Sequence, residues 1–229
     1  METLHNGFTL ELCPGAFPLS TDSIALSHFA SCKANDTVLD LCAGCGTLGL
    51  LLCAENDTCR VTGVEIDENS HLQALKNAKD NQIQHRLTSI CADVASVPQR
   101  FTPGSFSVCV ANPPYFTGGP KSSTLPNARR EDSCSLETLM TAIQWALKFG
   151  GDFYLVHRPE RLAEIFATAV HHTLEPKKLL LLRHTELGPV TLVLVQCRKG
   201  GKPGLLWQEE FLFDKNGDPS DYYRRLYHI

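Results

Sequence analysis

The sequence predicts an α/β protein with a doubly wound, mostly parallel, seven-stranded sheet that closes with an antiparallel C-terminal hairpin. Between residues 37 and 173, apolar strand-like runs alternate with segments of helical spacing. A glycine-rich loop follows the first of these runs, and two apolar runs joined by a short link come after the last helix. Alternating strands and helices are typical of parallel βαβ units, and a short link between strands is typical of a hairpin.

The individual elements follow from apolar periodicity and from terminal signals. Ser20-Thr21-Asp22 provides N-cap chemistry for a first helix that is predicted to run to about Cys32, after two short extended pieces within residues 7–19. Strands are predicted at residues 37–42, 60–66, 87–93, 106–112, 152–157, 177–184 and 189–197. Helices are predicted at residues 47–56, 68–82, 135–150 and 159–173, and Gly150-Gly151 is predicted to end the third of these.

Composition and charge narrow the functional class. A chain of 229 residues with 43% hydrophobic residues can bury a sizeable core. No apolar run reaches the length of a membrane span, and the first residues lack the pattern of a signal peptide, so we expect no membrane association. The formal net charge of −4 argues against a general polyanion binder but leaves room for local basic patches. The longer patch contains Lys177, Lys178, Arg183, Arg198, Lys199 and Lys202.

The ten cysteines show no framework spacing. Cys42 and Cys45 form a single CxxC without a second pair or a histidine at ligand spacing, so we expect no zinc or other metal site. A redox pair in this CxxC is an alternative. Reduced thiols in a chain without an export signal predict the cytoplasm.

The loop after the first predicted strand favours a nucleotide ligand. Gly44, Gly46 and Gly49 spell GxGxxG, which alone is a weak signal for a dinucleotide site. Glycines allow the backbone to approach a ligand, and the next helix points its N-terminus toward it.

Acids end the first three predicted strands. Asp40 would face a pyrophosphate unfavourably, but it suits a ligand with ammonium and sulfonium charges, namely S-adenosylmethionine. Glu65 could accept hydrogen bonds from ribose hydroxyls, and Asp93 could accept one from an adenine amine. Taken singly, each acid also fits a loop cap or a surface charge.

The fourth predicted strand ends in Asn112-Pro113-Pro114-Tyr115, followed by Phe116. The Asn112 side-chain oxygen and the Pro113 carbonyl could accept both N–H groups of a planar amine, and Pro114 restricts the residue before it. Tyr115 and Phe116 offer a surface on which a base can stack. A glutamine amide has the same weakly nucleophilic nitrogen, so these residues do not separate adenine from glutamine. Termination of a strand by two prolines is the plainer alternative.

Together these stretches resemble a known family. The segments "DLCAGCGTLGL", "GVEID", "CAD" and "ANPPYF" resemble the class I methyltransferase motifs of the Asn-Pro-Pro-Tyr type. The whole chain is similar to the bacterial tRNA adenine-N6 methyltransferases that modify the adenine next to the anticodon of a valine tRNA. This similarity includes "FPLSTDSIALSHFA", "NARREDSC", "HRPERLAEI", "LVLVQCRKGGKPGL" and "NGDPSDYYRRLY". Two departures are Cys42 and Cys45, at positions more often small or hydroxyl-bearing, and the overall acidity.

The resemblance implies a Rossmann-like methyltransferase domain over residues 34–229, preceded by a cap segment and helix over residues 1–33. It implies S-adenosylmethionine as cofactor, tRNA as substrate and no stable protein partner. The cofactor residues implied are Thr21, Asp22, Asp40, Ala43, Gly44, Gly46, Glu65, Asp93 and Asn112. Asn112, Pro113, Pro114 and Tyr115 would hold the target base, and Tyr115, Phe116, Arg129 and Arg130 would contact the substrate. The loop 117–133 is either a lid that orders on tRNA or an insertion without a role.

Four other functions stay open from the sequence. A glutamine methyltransferase acting on release factors uses the same motif, but that family carries a helical N-terminal domain and only about 36 residues precede the first strand here. DNA adenine methylation would call for a target-recognition domain that is not obvious in the sequence. A NAD-dependent enzyme would rely on the GxGxxG loop, and a non-catalytic RNA-binding protein could use the same fold.

Overall fold

The computed structural model describes residues 1–4, 6–113 and 134–229. The strands are β1 (Glu2–Thr3), β2 (Thr9–Leu10), β3 (Thr37–Leu41), β4 (Arg60–Glu65), β5 (Leu87–Cys91), β6 (Phe106–Ala111), β7 (Leu147–His157), β8 (Leu174–Thr185), β9 (Val190–Lys199) and β10 (Leu206–Phe213). The helices are α1 (Thr21–Phe29), α2 (Thr47–Glu55), α3 (Glu68–Asp80), α4 (Val97–Arg100), α5 (Leu136–Ala146), α6 (Leu162–His171) and α7 (Asp221–Tyr227), with 3₁₀ turns at Val94–Ser96 and Pro159–Arg161.

The central sheet has the order β10-β8-β9-β7-β6-β3-β4-β5. Among the strands of the described residues in this sheet, only β9 runs against the others, pairing antiparallel with both β7 and β8. The predicted fold class, a mostly parallel sheet with an antiparallel hairpin near the C-terminus, is therefore confirmed. After β3, the strands β4 and β5 extend the sheet to one edge. The next strand, β6, lies on the other side of β3, so the strand order reverses at β3. Ligands bind outside the carboxyl ends of the strands at such a switch point.

Side chains of the inner strands alternate between two buried layers. Val38 and Val108 pack into a core that contains residues of α1, α2 and α7. Their chain neighbours Leu39 and Cys109 pack into a second core with residues of α5 and α6. Because both faces of the sheet are covered, its inner strands are predominantly apolar, as expected for parallel sheets.

An eighth strand extends the predicted seven-stranded sheet. β10 pairs parallel with β8, and Arg183 on β8 forms an ion pair with Glu209 on β10 at 2.7 Å. The strand lies at the sheet edge, where Leu206 and Trp207 are exposed. Its sequence lacks the continuous apolar character of the buried strands because only one residue, Leu212, is buried. The short helix α7 was likewise not predicted.

The third predicted helix ends earlier than its glycines suggested. α5 stops at Ala146, and the fully buried Leu147 begins β7 opposite Phe106. The β6–β7 register then shifts, because Val108 pairs with Asp152. Residues 148–151 form this irregularity, with Gly150 at a φ of 76°. The helix therefore ends four residues before Gly150, because Leu147 is buried in the second core as the first residue of a strand.

The N-terminal segment shares a core with the sheet. Leu10 and Leu26 pack in the same buried cluster as Val38. The Asn77 side chain of α3 also accepts a hydrogen bond from the Glu11 backbone at 3.1 Å. The division into residues 1–33 and 34–229 stays a prediction. Within the described residues, no helix combines the length and the apolarity required to cross a membrane.

Much of the basic segment 177–202 is engaged within the protein. Arg198 forms an ion pair with Asp152 at 2.8 Å, and Lys199 donates to the backbone oxygen of Leu147 at 2.7 Å. Asp152 lies midway along β7, where it pairs with Val108 of β6 and with Arg198 of β9. These positive charges stabilise β7, so they are not available as a continuous anion-binding surface.

Candidate active site

A cavity of about 400 Å³ lies at the carboxyl ends of β3, β4, β5 and β6. Its volume falls within the range of small-molecule sites. The predicted site residues on its wall are Asp22, Asp40, Ala43, Gly44, Glu65, Asp93, Asn112 and Pro113. The fold thus brings together residues from positions 22 to 113 because parallel strands end at the same edge of the sheet.

The glycine loop between β3 and α2 takes its shape from left-handed backbone conformations. Gly44 has a φ of 56° and Gly46 a φ of 79°, the latter at the N-cap of α2. A Cβ added to Gly46 would meet the Ala74 Cβ at 3.1 Å, so both backbone conformation and space favour glycine there. Gly46 is not among the cavity-lining residues. It shapes the turn, whereas Gly44 lies on the wall.

Glu65 ties this loop to the end of β4. Its Oε2 accepts a hydrogen bond from the Gly44 N–H at 2.8 Å, and its Oε1 accepts one from the Asp67 N–H at 2.9 Å. A carboxylate oxygen has capacity for a second donor, so Glu65 can also accept from ligand hydroxyls. The sequence prediction assigned Glu65 only to the ligand, and the structure adds a role in holding the loop.

Asp40 is a deeply buried acid on the cavity wall. Its side chain is 98% buried, with a relative exposure of 2%, and within the described residues its Oδ2 has no hydrogen-bond partner. Burial and the negative charge of Glu65 raise its pKa to about 8. A buried carboxylate without a partner is costly, so this position fits a cationic group of a ligand.

Asp93 closes β5 and begins the next turn. Its Oδ1 accepts a hydrogen bond from the Ala95 N–H at 2.8 Å, which caps the turn Val94–Ser96. Ala92 and Val94 also line the cavity and are buried. An acid between two apolar residues can accept from an amine at the rim of a planar ring while the apolar side chains contact the ring.

The side chain of Asn112 is oriented by a residue that the sequence prediction missed. Its Nδ2 donates a hydrogen bond to the Ser23 Oγ of α1 at 3.0 Å, and Ser23 is 7% exposed. This contact fixes the amide plane with Nδ2 toward α1. Ser23 follows the predicted Thr21-Asp22, but nothing in the sequence indicates which residue of this helix faces Asn112.

Several predicted residues lie outside the cavity or outside the described residues. Thr21 places its Oγ1 3.0 Å from the Tyr227 hydroxyl of α7 and does not line the cavity, in contrast to Asp22. The predicted residues Pro114, Tyr115, Phe116, Arg129 and Arg130, together with the loop 117–133, lie outside the described residues.

Arg158 is a further cavity residue that the sequence reasoning did not single out. It follows β7, and its backbone N–H donates to the Nδ1 of His157 at 2.8 Å. Burial lowers the His157 pKa to about 4, so the ring is neutral and can accept this bond.

The two cysteines of the CxxC have different neighbours. The Cys42 Sγ lies 3.2 Å from the Cys134 Sγ, and the Cys45 Sγ lies 3.5 Å from the Cys13 Sγ. All four thiols are free. Sequence alone suggested a redox pair of Cys42 with Cys45. It did not indicate Cys134 and Cys13 as neighbours, because both are remote in sequence from the CxxC.

Comparison with known proteins assigns the family. Residues 20–173 match the family described as "Methyltransferase small domain". The chain belongs to this family. The match includes every predicted site residue.

Sequence relatives carry more specific names. The chain is 34% identical over 141 residues to a "tRNA1(Val) (adenine(37)-N6)-methyltransferase" of Shewanella halifaxensis, a match that covers 61% of this chain and 57% of the relative. It is 28% identical over 197 residues to the protein of the same name from Shewanella pealeana, with 73% and 74% covered. The match to the first relative thus spans less than two thirds of that protein's length.

Solved structures agree in fold. A predicted O-methyltransferase from Agrobacterium tumefaciens has a TM-score of 0.75 at 19% identity, over 91% of this chain and 96% of that one. A geranyl diphosphate C-methyltransferase from Streptomyces coelicolor, solved with S-adenosyl-L-homocysteine, has a TM-score of 0.60 at 15% identity, over 77% and 76%. The family match confirms the prediction of a methyltransferase, and these structures agree with the predicted fold.

The raised pKa of Asp40 predicts how the stability of the protein changes with pH. An unfolded Asp titrates near 3.8, whereas the folded chain holds this one protonated up to about 8, so its contribution to stability is lost as the pH rises through that range. We expect Asp40→Asn, which keeps the shape of the protonated side chain, to raise the melting temperature by several °C at about pH 8. The gain should shrink toward about pH 5.

Thermal unfolding of the ligand-free protein at both pH values measures this effect. Asp57→Asn, at an exposed position, is the matched control and should change neither melting temperature. A gain for Asp40→Asn that is equal at the two pH values would contradict the assignment.

The hydrogen bond between Ser23 and Asn112 predicts an effect of Ser23 on the rate of methyl transfer. Ser23→Ala removes one hydrogen bond that orients the amide, so we expect a roughly tenfold lower rate of methyl transfer with little change in cofactor affinity. Ser23→Thr keeps the hydroxyl and should restore part of the rate. Ser27→Ala, on the same helix and similarly buried, is the control. Equal turnover by the Ser23→Ala and Ser27→Ala variants would exclude a positioning role for Ser23.

Proposed function

We propose that this protein transfers a methyl group from S-adenosylmethionine to the exocyclic N6 amine of an adenine in tRNA. The proposed target is the adenine next to the anticodon of a valine tRNA, and the proposed location is the cytoplasm. The observation that carries the proposal is the presence, on one cavity wall, of the buried Asp40 carboxyl and the acceptors of Asn112 and Pro113.

The wall at β3 and β4 suits the cofactor. The Asp40 Oδ2, buried and without a partner among the described residues, can accept from an ammonium group, which would also return its pKa toward the ordinary range. Gly44 allows close approach of a ligand, and the Glu65 carboxylate has lone pairs left for ribose hydroxyls. When bound, the cofactor supplies an electrophilic methyl group on a sulfonium.

The end of β6 suits a planar amine. An adenine amine delocalises its lone pair into the ring, so it is a poor nucleophile. The Asn112 Oδ1 and the Pro113 carbonyl oxygen can each accept one of its N–H groups and draw the nitrogen toward tetrahedral geometry. Ser23 holds the Asn112 amide from the other side, at Nδ2. The nitrogen attacks directly, and no residue of this chain forms a covalent intermediate.

The tRNA part of the proposal rests on the names of the relatives and on the sequence around the site. Relatives with 27–35% identity are named as methyltransferases of adenine 37 in tRNA1(Val). Arg158 adds a positively charged residue to the cavity wall, which suits a phosphate-bearing substrate. We propose that Tyr115 and Phe116 stack on the base, that Arg129 and Arg130 contact the backbone, and that no stable protein partner is required.

Methyl transfer to purified substrates tests the target. We expect incorporation from labelled cofactor into an unmodified valine tRNA transcript. A matched transcript with guanine in place of the adenine next to the anticodon should stay unlabelled, and release factors should stay unlabelled too. Equal labelling of both transcripts would refute the position, and labelling of a release factor alone would show that the substrate is a protein amide.

Substitution of Asn112 tests the mechanism. Asn112→Ala removes one preorganised acceptor, and we expect a loss of ~10²–10³ in the rate of methyl transfer with cofactor affinity within a few-fold. Single-turnover kinetics and calorimetry separate the two quantities. Asn216→Ala, in an exposed turn, is the control. Near-normal turnover by the Asn112→Ala protein would refute the role of this residue.

A further inference from the structure

We propose that Cys42 and Cys134 form an oxidative modification site, at which a hydroperoxide converts the two thiols to a disulfide that weakens cofactor binding. The two Sγ atoms are 3.2 Å apart although the residues are separated by 92 positions in the chain. Both side chains lie on the wall of the cavity described above. A reaction at this pair therefore takes place inside the cofactor site of the proposed function, on which this inference rests.

The backbone around the pair joins two elements that carry the site. Cys42 follows directly after β3 and begins the glycine loop, with a φ of 61°. Cys134 precedes Ser135, whose side chain caps the N-terminus of α5 by accepting from the Thr138 N–H at 3.1 Å. A disulfide has an S–S distance of about 2.0 Å, so its formation draws the loop and the start of α5 together by roughly 1 Å.

The two thiols differ in reactivity. The hydrogen bond with Cys42 lowers the pKa of Cys134, whereas the same contact and burial raise that of Cys42. The thiolate is the species that reacts with peroxide, so Cys134 reacts first. Cys42, in contact with it, is the resolving thiol.

The reaction balances with hydrogen peroxide as the oxidant. The Cys134 thiolate attacks one peroxide oxygen, the O–O bond breaks, and the departing hydroxide takes up a proton to give water and a sulfenic acid. The Cys42 sulfur then attacks the Cys134 sulfur, the S–O bond breaks, and the second hydroxide leaves as water with the proton of Cys42. Two thiols and one peroxide thus give one disulfide and two water molecules.

The disulfide affects the cofactor through the glycine loop. Cys42 is two residues from Asp40 and two from Gly44, whose N–H is held by Glu65 at 2.8 Å. Movement of Cys42 toward Cys134 displaces these backbone positions from the geometry that the reduced cavity provides. Because backbone and carboxylate contacts depend steeply on distance, the affinity for the cofactor falls.

The second cysteine pair provides an internal comparison. The Cys13 and Cys45 thiols are 3.5 Å apart, and Cys13 also lies 3.6 Å from the Ser70 Oγ. Burial raises the pKa of Cys45 to about 11, so its thiolate is scarce at neutral pH. The Cys42–Cys134 contact is the shorter of the two, so we expect the first bond to form with peroxide to be Cys42–Cys134.

Mass spectrometry and calorimetry on the full chain test this proposal. The reduced protein is treated with a small excess of hydrogen peroxide, alkylated and digested, and its affinity for S-adenosylmethionine is measured before treatment, after treatment and after reduction with a phosphine. We expect a crosslinked Cys42–Cys134 peptide pair, a loss of affinity of about tenfold or more, and full recovery on reduction.

Variants compared with themselves before and after peroxide provide the controls. Cys134→Ser and Cys134→Ala should keep their own initial affinity after treatment, whereas Cys13→Ser should lose affinity as the wild type does. The absence of the Cys42–Cys134 crosslink, a crosslink without loss of affinity, or loss of affinity in both Cys134 variants would overturn the proposal. None of these measurements involves tRNA, so the result is independent of the substrate proposed above.

Discussion

The site depends on a buried carboxyl group, one oxygen of which has no hydrogen-bond partner among the described residues. Asp40 lies at the end of β3 with 2% of its surface exposed, and its Oδ2 accepts no hydrogen bond from the described chain. Its pKa of about 8 expresses the unfavourable free energy of ionising this group in the folded state. A cationic ligand would remove that penalty, so in the proposed function the burial of Asp40 favours a positively charged cofactor over other ligands.

The other contacts of the site hold separate chain segments around Asp40. Glu65 joins the end of β4 to the glycine loop through the Gly44 N–H, and Ser23 joins α1 to the end of β6 through the Asn112 amide. Each contact connects residues that are remote in sequence and adjacent at the edge of the parallel sheet. The proposed cofactor residues and the proposed base acceptors thus share one frame, which keeps their relative geometry fixed.

The proposed sensitivity to oxidation follows from the short distance between the glycine loop and the start of α5. The glycine loop has to pass near the start of α5 to form the cavity, and a cysteine stands on each side of that contact, at positions 42 and 134. A loop that positions ligands through its backbone transmits small displacements directly to the bound group. In the proposed modification, a single new bond at this contact changes the geometry of the cofactor site, and the substrate site next to it stays chemically unaltered.

The sequence by itself determined the α/β class, the alternation of strands and helices along the chain around the glycine loop, and the acids at three strand ends. These features are local, because apolar runs, glycines and strand-end polar residues are readable within a few positions. Only the tertiary structure decided that Leu147 begins a strand before two glycines, that β10 adds an edge strand with few buried residues, and that Glu65 supports the loop. It also decided the partners Ser23–Asn112 and Cys42–Cys134. Such pairings depend on how segments remote in sequence pack against one another, which local propensity does not specify.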